Sequence, residues 1–316
     1  MNRRFVAFAI VVAAAVAVVA VVLRPGPRPP GRRLAVASIL PLADIVRNVA
    51  GDRFEVSCLL PPGASPHTFE PTTRQMVELS QAEAFFRMGL DLEFWAADLV
   101  ESAANPRLRV VTVSDGIEPL RFSSHGEHAD EEAEGHHHEH GEFDPHVWLD
   151  PVLALTIAEN VRLGLSAADP ASAGYFSERA REYREKLVAL DAEYKAAMGA
   201  IKVRKAVAFH DAYAYLARRY GYEIVEVIEE APGKEPGAKH IQHVIEGIRA
   251  SGAGAVFVEP QFSPLMAEAI ARDAGVAVIT VDPIGDSSDP LRATYIGLMR
   301  FNLDAFRRAA AGGGDR

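Results

Sequence analysis

The chain has 316 residues, 49% of them hydrophobic, enough for one large or two ordinary domains with proper cores. Its net charge of −10, with no basic cluster beyond the N-terminal segment, excludes nucleic acid as a partner. The single cysteine, Cys58, rules out an intrachain disulfide and a thiolate-rich zinc knuckle, and is expected as a small apolar residue in a buried strand.

Met1-Asn2-Arg3-Arg4 leads into an uncharged apolar run from Phe5 to Leu23. A basic start followed by such a run is an export signal. The run is also long enough to span a bilayer and ends without a small-x-small pattern, so residues 1–23 fit either a cleaved signal or an anchor. Residues 24–33, RPGPRPPGRR, read as a proline-rich stalk, and no cysteine lies near for lipid attachment. Either way the remainder is expected to work outside the cytoplasm, in the periplasm or at the outer face of the membrane.

From Leu34 short apolar runs alternate with longer amphipathic ones, the pattern of βα units and parallel sheets. Strands are predicted near Leu34–Ser38, Phe54–Leu60, Ala84–Met88 and Val110–Ser114, with helices near Ala43–Val49, Thr72–Ala82, Glu93–Ala103 and Val152–Ser166. Between them, residues 125–142 read HGEHADEEAEGHHHEHGE. Here His125, His128, His136, His137, His138 and His140 alternate with carboxylates, and nothing larger than alanine is available to bury. Such a segment is expected to be a mobile loop. Imidazoles among carboxylates favour weak capture of a transition metal over a merely solvated acidic loop.

Ser172–Ile201 runs without a break, with Phe176, Ala180, Tyr183, Leu187, Leu190, Tyr194, Met198 and Ile201 in steps of three and four. That is one apolar stripe on a helix of about 45 Å, suited to cross behind two lobes and join them stiffly. In the second half, strands are predicted near Ala206–Phe209, Glu223–Val227, Ala255–Val258 and Val276–Thr280. Their helices fall near Ala212–Tyr220, Ala238–Ala250, Pro264–Ala274 and Pro290–Ala310. The fold class is therefore α/β: two similar parallel-sheet lobes, 34–171 and 202–316, joined by the linker helix 172–201.

Three histidines and one aspartate follow predicted strands: His67 in PHTFEP just past the second, His146 in DPHVWLDP after the fourth and the acidic loop, His210 directly after Phe209, and Asp282 in VDPIG at the end of the last. Ligands of open parallel sheets bind beyond the carboxyl ends of the strands, so two residues from each half would meet in one cleft. Three imidazoles and a carboxylate can close a shell around a divalent transition metal. Singly, each also fits an ordinary turn beside the flanking prolines. His240 and His243, spaced i, i+3 on a helix, read as a solvated face.

SPHTFEPT (65–72), DPHVWLDP (144–151), FHDAYAYLARRYG (209–221), EPGAKHI (235–241), VFVEPQFSP (256–264) and VDPIG (281–285) occur in this order. Together they resemble the zinc-specific solute-binding proteins of ABC importers, the ZnuA/TroA type, over essentially the whole chain after the stalk. The resemblance implies two α/β lobes on a rigid helix with the metal site in the inter-lobe cleft, and a monomer that captures Zn2+ and delivers it to an ABC permease in the cytoplasmic membrane. It places the family's three histidine ligands on His67, His146 and His210 and its acidic ligand on Asp282. Some zinc members leave that fourth place to water or another carboxylate. Manganese-type relatives carry a carboxylate where this chain has His210, so histidine there points to zinc. A manganese-binding importer component and a zinc-dependent hydrolase are the alternatives. The hydrolase is disfavoured because no carboxylate shares an element with a ligand as in a His-Glu-x-x-His helix, Glu70 being the only nearby candidate.

Overall fold

The structure, a computed structural model, describes residues 33–122, 142–229 and 233–311. The expected export segment, the stalk up to residue 32, and the histidines from His125 to His140 lie outside these residues. No helix among the described residues is long and apolar enough to cross a membrane.

Strands β1 (Arg33–Ala37), β2 (Phe54–Cys58), β3 (Ala84–Arg87) and β4 (Arg109–Thr112) form a parallel sheet in the order β2-β1-β3-β4. Parallel neighbours need crossovers. Helices α1 (Leu40–Ala50), α2 (Thr73–Ser80) and α3 (Ala96–Ala103) supply them, and α4 (Leu153–Ala168) follows β4 after a long excursion. Ala35 pairs with Val56 on one side and Ala84 on the other, which puts β1 in the middle. Leu34–Ala37 and Ala84–Phe86 are wholly buried, as expected of strands covered on both faces. Cys58 differs from expectation: it ends β2 half-buried, its thiol pointing at the carbonyl of Leu60.

Helix α5 (Ala173–Ala200) is the expected linker, entered through a 3-10 turn at Pro170–Ser172. Every residue of the predicted stripe is buried, joined by Ala197. The second lobe repeats the first: β5 (Lys205–Ala208), α6 (Ala214–Tyr220), β6 (Glu223–Val227), α7 (Ala238–Ser251), β7 (Ala255–Val258), α8 (Pro264–Ala274) and β8 (Ala277–Thr280), with sheet order β6-β5-β7-β8, all parallel.

The last helix, α9 (Tyr295–Ala311), begins five residues later than its pattern suggested. Residues 290–294 are held in turns, with Asp289 Oδ1 accepting from Leu291 N at 2.9 Å and Oδ2 facing Arg292 Nε at 2.7 Å. The helix start is set from the other lobe: Asp44 Oδ2 accepts from Tyr295 N at 2.9 Å. α9 then lies across α5 and α1, so one apolar core runs through both lobes and the linker.

Candidate metal site

His67 stands in the loop leaving β2. That loop is pinned by Phe69, which packs edge-on against Trp95 (ring centroids 5.2 Å apart), and by Trp95 Nε1 donating to the carbonyl of Pro66 at 3.3 Å. Its far end is fixed where Thr72 and Gln75 form a capping box at the start of α2. A half-buried histidine is thereby held on a stiff loop rather than a floppy one.

His146 is placed by the residue two before it. Asp144 Oδ1 accepts from His146 N at 2.9 Å and meets its Nδ1 at 2.7 Å, so one carboxylate fixes both the turn and the ring. Trp148, in the 3-10 turn Val147–Leu149, packs its indole 5.2 Å from the His146 ring. Burial pushes Asp144 up to about 7, against the pull of the His146 amide and the His210 charge. Burial first, and His210 second, hold His146 well below the ordinary histidine value, so its imidazole is neutral at physiological pH.

His210 follows β5, and Glu259 follows β7, the strand beside it, so both sit where the strand order of the second sheet reverses. Glu259 Oε1 lies 3.4 Å from His210 Nδ1. Burial lowers His210, but the charges of Glu259, Glu229 and Asp211 outweigh it and leave the imidazole above its usual value.

The structure brings His67, His146 and His210 together. One ring nitrogen from each lies within 4.8 Å of the others, and among the described residues no second group of this kind occurs. The rings make a near-equilateral triangle with centroids 5.1, 5.0 and 4.9 Å apart. His67 Nε2 and His146 Nε2 are 3.1 Å apart, close to the roughly 3.3 Å that two nitrogens span around a tetrahedral zinc at 2.0–2.1 Å. The carboxylates on the Nδ1 side of His146 and His210 turn Nε2 of each towards that common point. The enclosed space is about 10 Å³, lined by the three histidines, Glu259, Gln261 and Phe262 among others. That volume holds an ion or about one water.

Asp282, the expected fourth ligand, is not among the residues of this group. Its carboxylate is engaged elsewhere: Oδ1 accepts from Ile284 N at 2.9 Å and Gly285 N at 2.8 Å, and Oδ2 faces Arg292 Nη1 at 2.7 Å. Gly285 has φ of +83°, and a Cβ there would meet the carbonyl of Arg292 at 2.6 Å, so the turn needs glycine. His240 and His243 lie away from the site, beside the carbonyl of Val227 and Glu226 Oε1. Glu70 is exposed. Asp144 and Glu259 were missed from sequence; the Asp-Pro-His spacing signals the first, and only the strand order signals the second.

Fold and site together define a two-lobed protein with a nitrogen-rich pocket between its lobes. The family described as zinc-uptake complex component A, periplasmic, matches residues 35–309, and the chain belongs to it. It is similar to the zinc-binding protein AdcA of Streptococcus pyogenes serotype M3, 31% identical over 287 residues, covering 88% of this chain and 56% of AdcA. The chain thus spans about half the length of such curated relatives. The iron-binding protein YfeA of Yersinia pestis is 31% identical over 272 residues, covering 84% of this chain and 83% of YfeA. A crystal structure of ZnuA superposes with a TM-score of 0.75 at 27% identity, covering 90% of this chain and all of that one.

Proposed function

We propose that this chain captures a zinc ion between its lobes on the extracytoplasmic side of the membrane and hands it to an ABC permease. The observation that carries the reading is the convergence of three imidazole nitrogens, two from one lobe and one from the other, within 4.8 Å. AdcA is named as zinc-binding and YfeA as iron-binding, so the choice of metal rests on the donors. Imidazoles suit zinc, whereas manganese prefers carboxylates and carbonyls. The pocket's size speaks for holding an ion rather than hydrolysing a substrate. In this reading residues 34–171 and 202–316 are the lobes, 172–201 the stiff linker, and 1–23 the export or anchoring segment.

The histidines from His125 to His140 are taken as weak auxiliary ligands that raise the local zinc concentration. Their segment leaves and rejoins the lobe beside the site. Arg121 and Phe143 form an antiparallel bridge, and Asp144 N donates to the carbonyl of Leu120 at 2.8 Å.

The test is the metal content and zinc affinity of the full chain purified without a histidine tag. A single tight zinc is expected, with His210→Ala weakening it by orders of magnitude and removing the zinc-linked rise in Tm. Tight binding that survives alanine at all three histidines would defeat the reading. Excising residues 125–142, with Phe143 onward kept intact, should abolish only the weak binding events in a calorimetric titration. Loss of the tight event would mean that the excised histidines supply ligands.

A further inference from the structure

Asp282 adjoins the lining of the pocket. Its neighbour Pro283 and its contact Gln261, whose Nε2 comes within 3.5 Å of Oδ1, both line the pocket. Two kinds of group hold the carboxylate. The amides of Ile284 and Gly285 belong to the turn itself and take Oδ1. Arg292 is a separable clamp on Oδ2, and it is itself positioned by Asp289 Oδ2 at 2.7 Å and by lying 5.4 Å from the Phe301 ring centroid. The Asp282 side chain is 1% exposed and that of Arg292 16%, so the pair is poorly screened by solvent.

We propose that Arg292 is a specificity-determining residue. By holding Oδ2 of Asp282 it keeps this carboxylate, whose neighbour Pro283 lines the pocket, off the bound ion and so withholds an oxygen donor, which favours zinc over manganese. The inference rests on the three-histidine reading above. Zinc is satisfied by three nitrogens and a water. Manganese gains more from oxygen donors, and here it would have to take Oδ2 from the part-buried Arg292 guanidinium. Stripping one partner from a buried ion pair is strongly unfavourable. The clamp therefore costs manganese more than zinc.

The deciding variant is Arg292→Met, which keeps an apolar stem and removes the charge. Zinc and manganese dissociation constants of the purified full chain are measured by chelator competition for wild type, R292M and the R292M/D282N double variant. R292M is expected to tighten manganese binding by about tenfold or more, the scale on which groups behind a first shell act. The double variant should lose that gain, because an amide offers the ion no charge. Unchanged manganese affinity in a folded R292M, or a gain that persists in the double variant, overturns the proposal. Should R292M lose its cooperative melt, Asp282→Asn alone decides, since it retains an oxygen for the two turn amides. Retained zinc affinity then supports the clamp, and a loss of about tenfold or more makes Asp282 a ligand and overturns it. Tight zinc binding by H210A would instead defeat the three-histidine reading, a result distinct from a flat R292M.

Discussion

An imidazole has two nitrogens, and a metal site needs the correct one turned inward. Asp144 and Glu259 make that choice by facing Nδ1 of His146 and His210, one carboxylate from each lobe. Replacing Asp144 by alanine frees the His146 ring and leaves its backbone amide without the side-chain acceptor. Zinc affinity should fall about 10–100-fold, and wild-type affinity in a folded D144A would refute the assignment. The same charges set the response to pH. Zinc binds only the neutral imidazole, and His210 is held above the usual histidine value because Glu259, Glu229 and Asp211 outweigh burial. Affinity is therefore full at high pH, and its fall begins above the ordinary histidine value of about 6.5, as His210 gains a proton that zinc must expel. His146, kept neutral by burial, adds no competition there. Glu259→Gln removes the charge that raises His210 and should move the fall to lower pH. Chelator competition as a function of pH checks both, and a flat profile points to carboxylate ligation.

The elements that were legible in the sequence are those whose signal is local. β1 and β7 announce themselves as short apolar runs, and α5 as a stripe repeating every three or four residues. His67, His146 and His210 were legible because each follows a strand, and parallel sheets put such ends on one side. What stayed hidden depends on partners distant in sequence or on side-chain direction. The start of α9 is set by Asp44, 251 residues away. Glu259 meets His210 only because β7 lies beside β5. Asp282 occupies the expected place, but Arg292 and two turn amides claim its oxygens, and no spacing rule foretells that. The linker's stripe also makes a quantitative claim. Leu187 is 0% exposed near the middle of α5, so Leu187→Ala leaves a cavity and should cost about 2–5 kcal/mol in a denaturant melt. A loss well under 1 kcal/mol would mean that the linker is not packed as described.

At the scale of the whole molecule, the lobes are fastened together and do not merely sit at the ends of a helix. Trp148 Nε1 donates to the carbonyl of Pro283 at 2.7 Å, and Tyr295 Oη donates to the carbonyl of Trp148 at 2.7 Å. Tyr215 Oη donates to the carbonyl of Asp144 at 2.7 Å, and Arg219 Nε meets Asp150 Oδ2 at 2.7 Å. Trp148 and Tyr295 are fully buried, and α9 spreads its apolar face over α1 and α5. A wide opening would exchange these bonds for bonds to water, at a net cost of about 0.5–1.5 kcal/mol each, and would expose shared core besides. A single ion cannot drive such a motion unless it binds the two states very differently. Gain or loss of zinc should therefore move the loops carrying His67 and His146 and the segment after β5, while the lobes keep their relative placement. Small-angle scattering of the full chain, with zinc and after chelation, should give the same radius of gyration within error. A clear compaction on adding zinc would show that the inter-lobe bonds open in solution and that release proceeds by hinge motion rather than by local rearrangement at the three histidines.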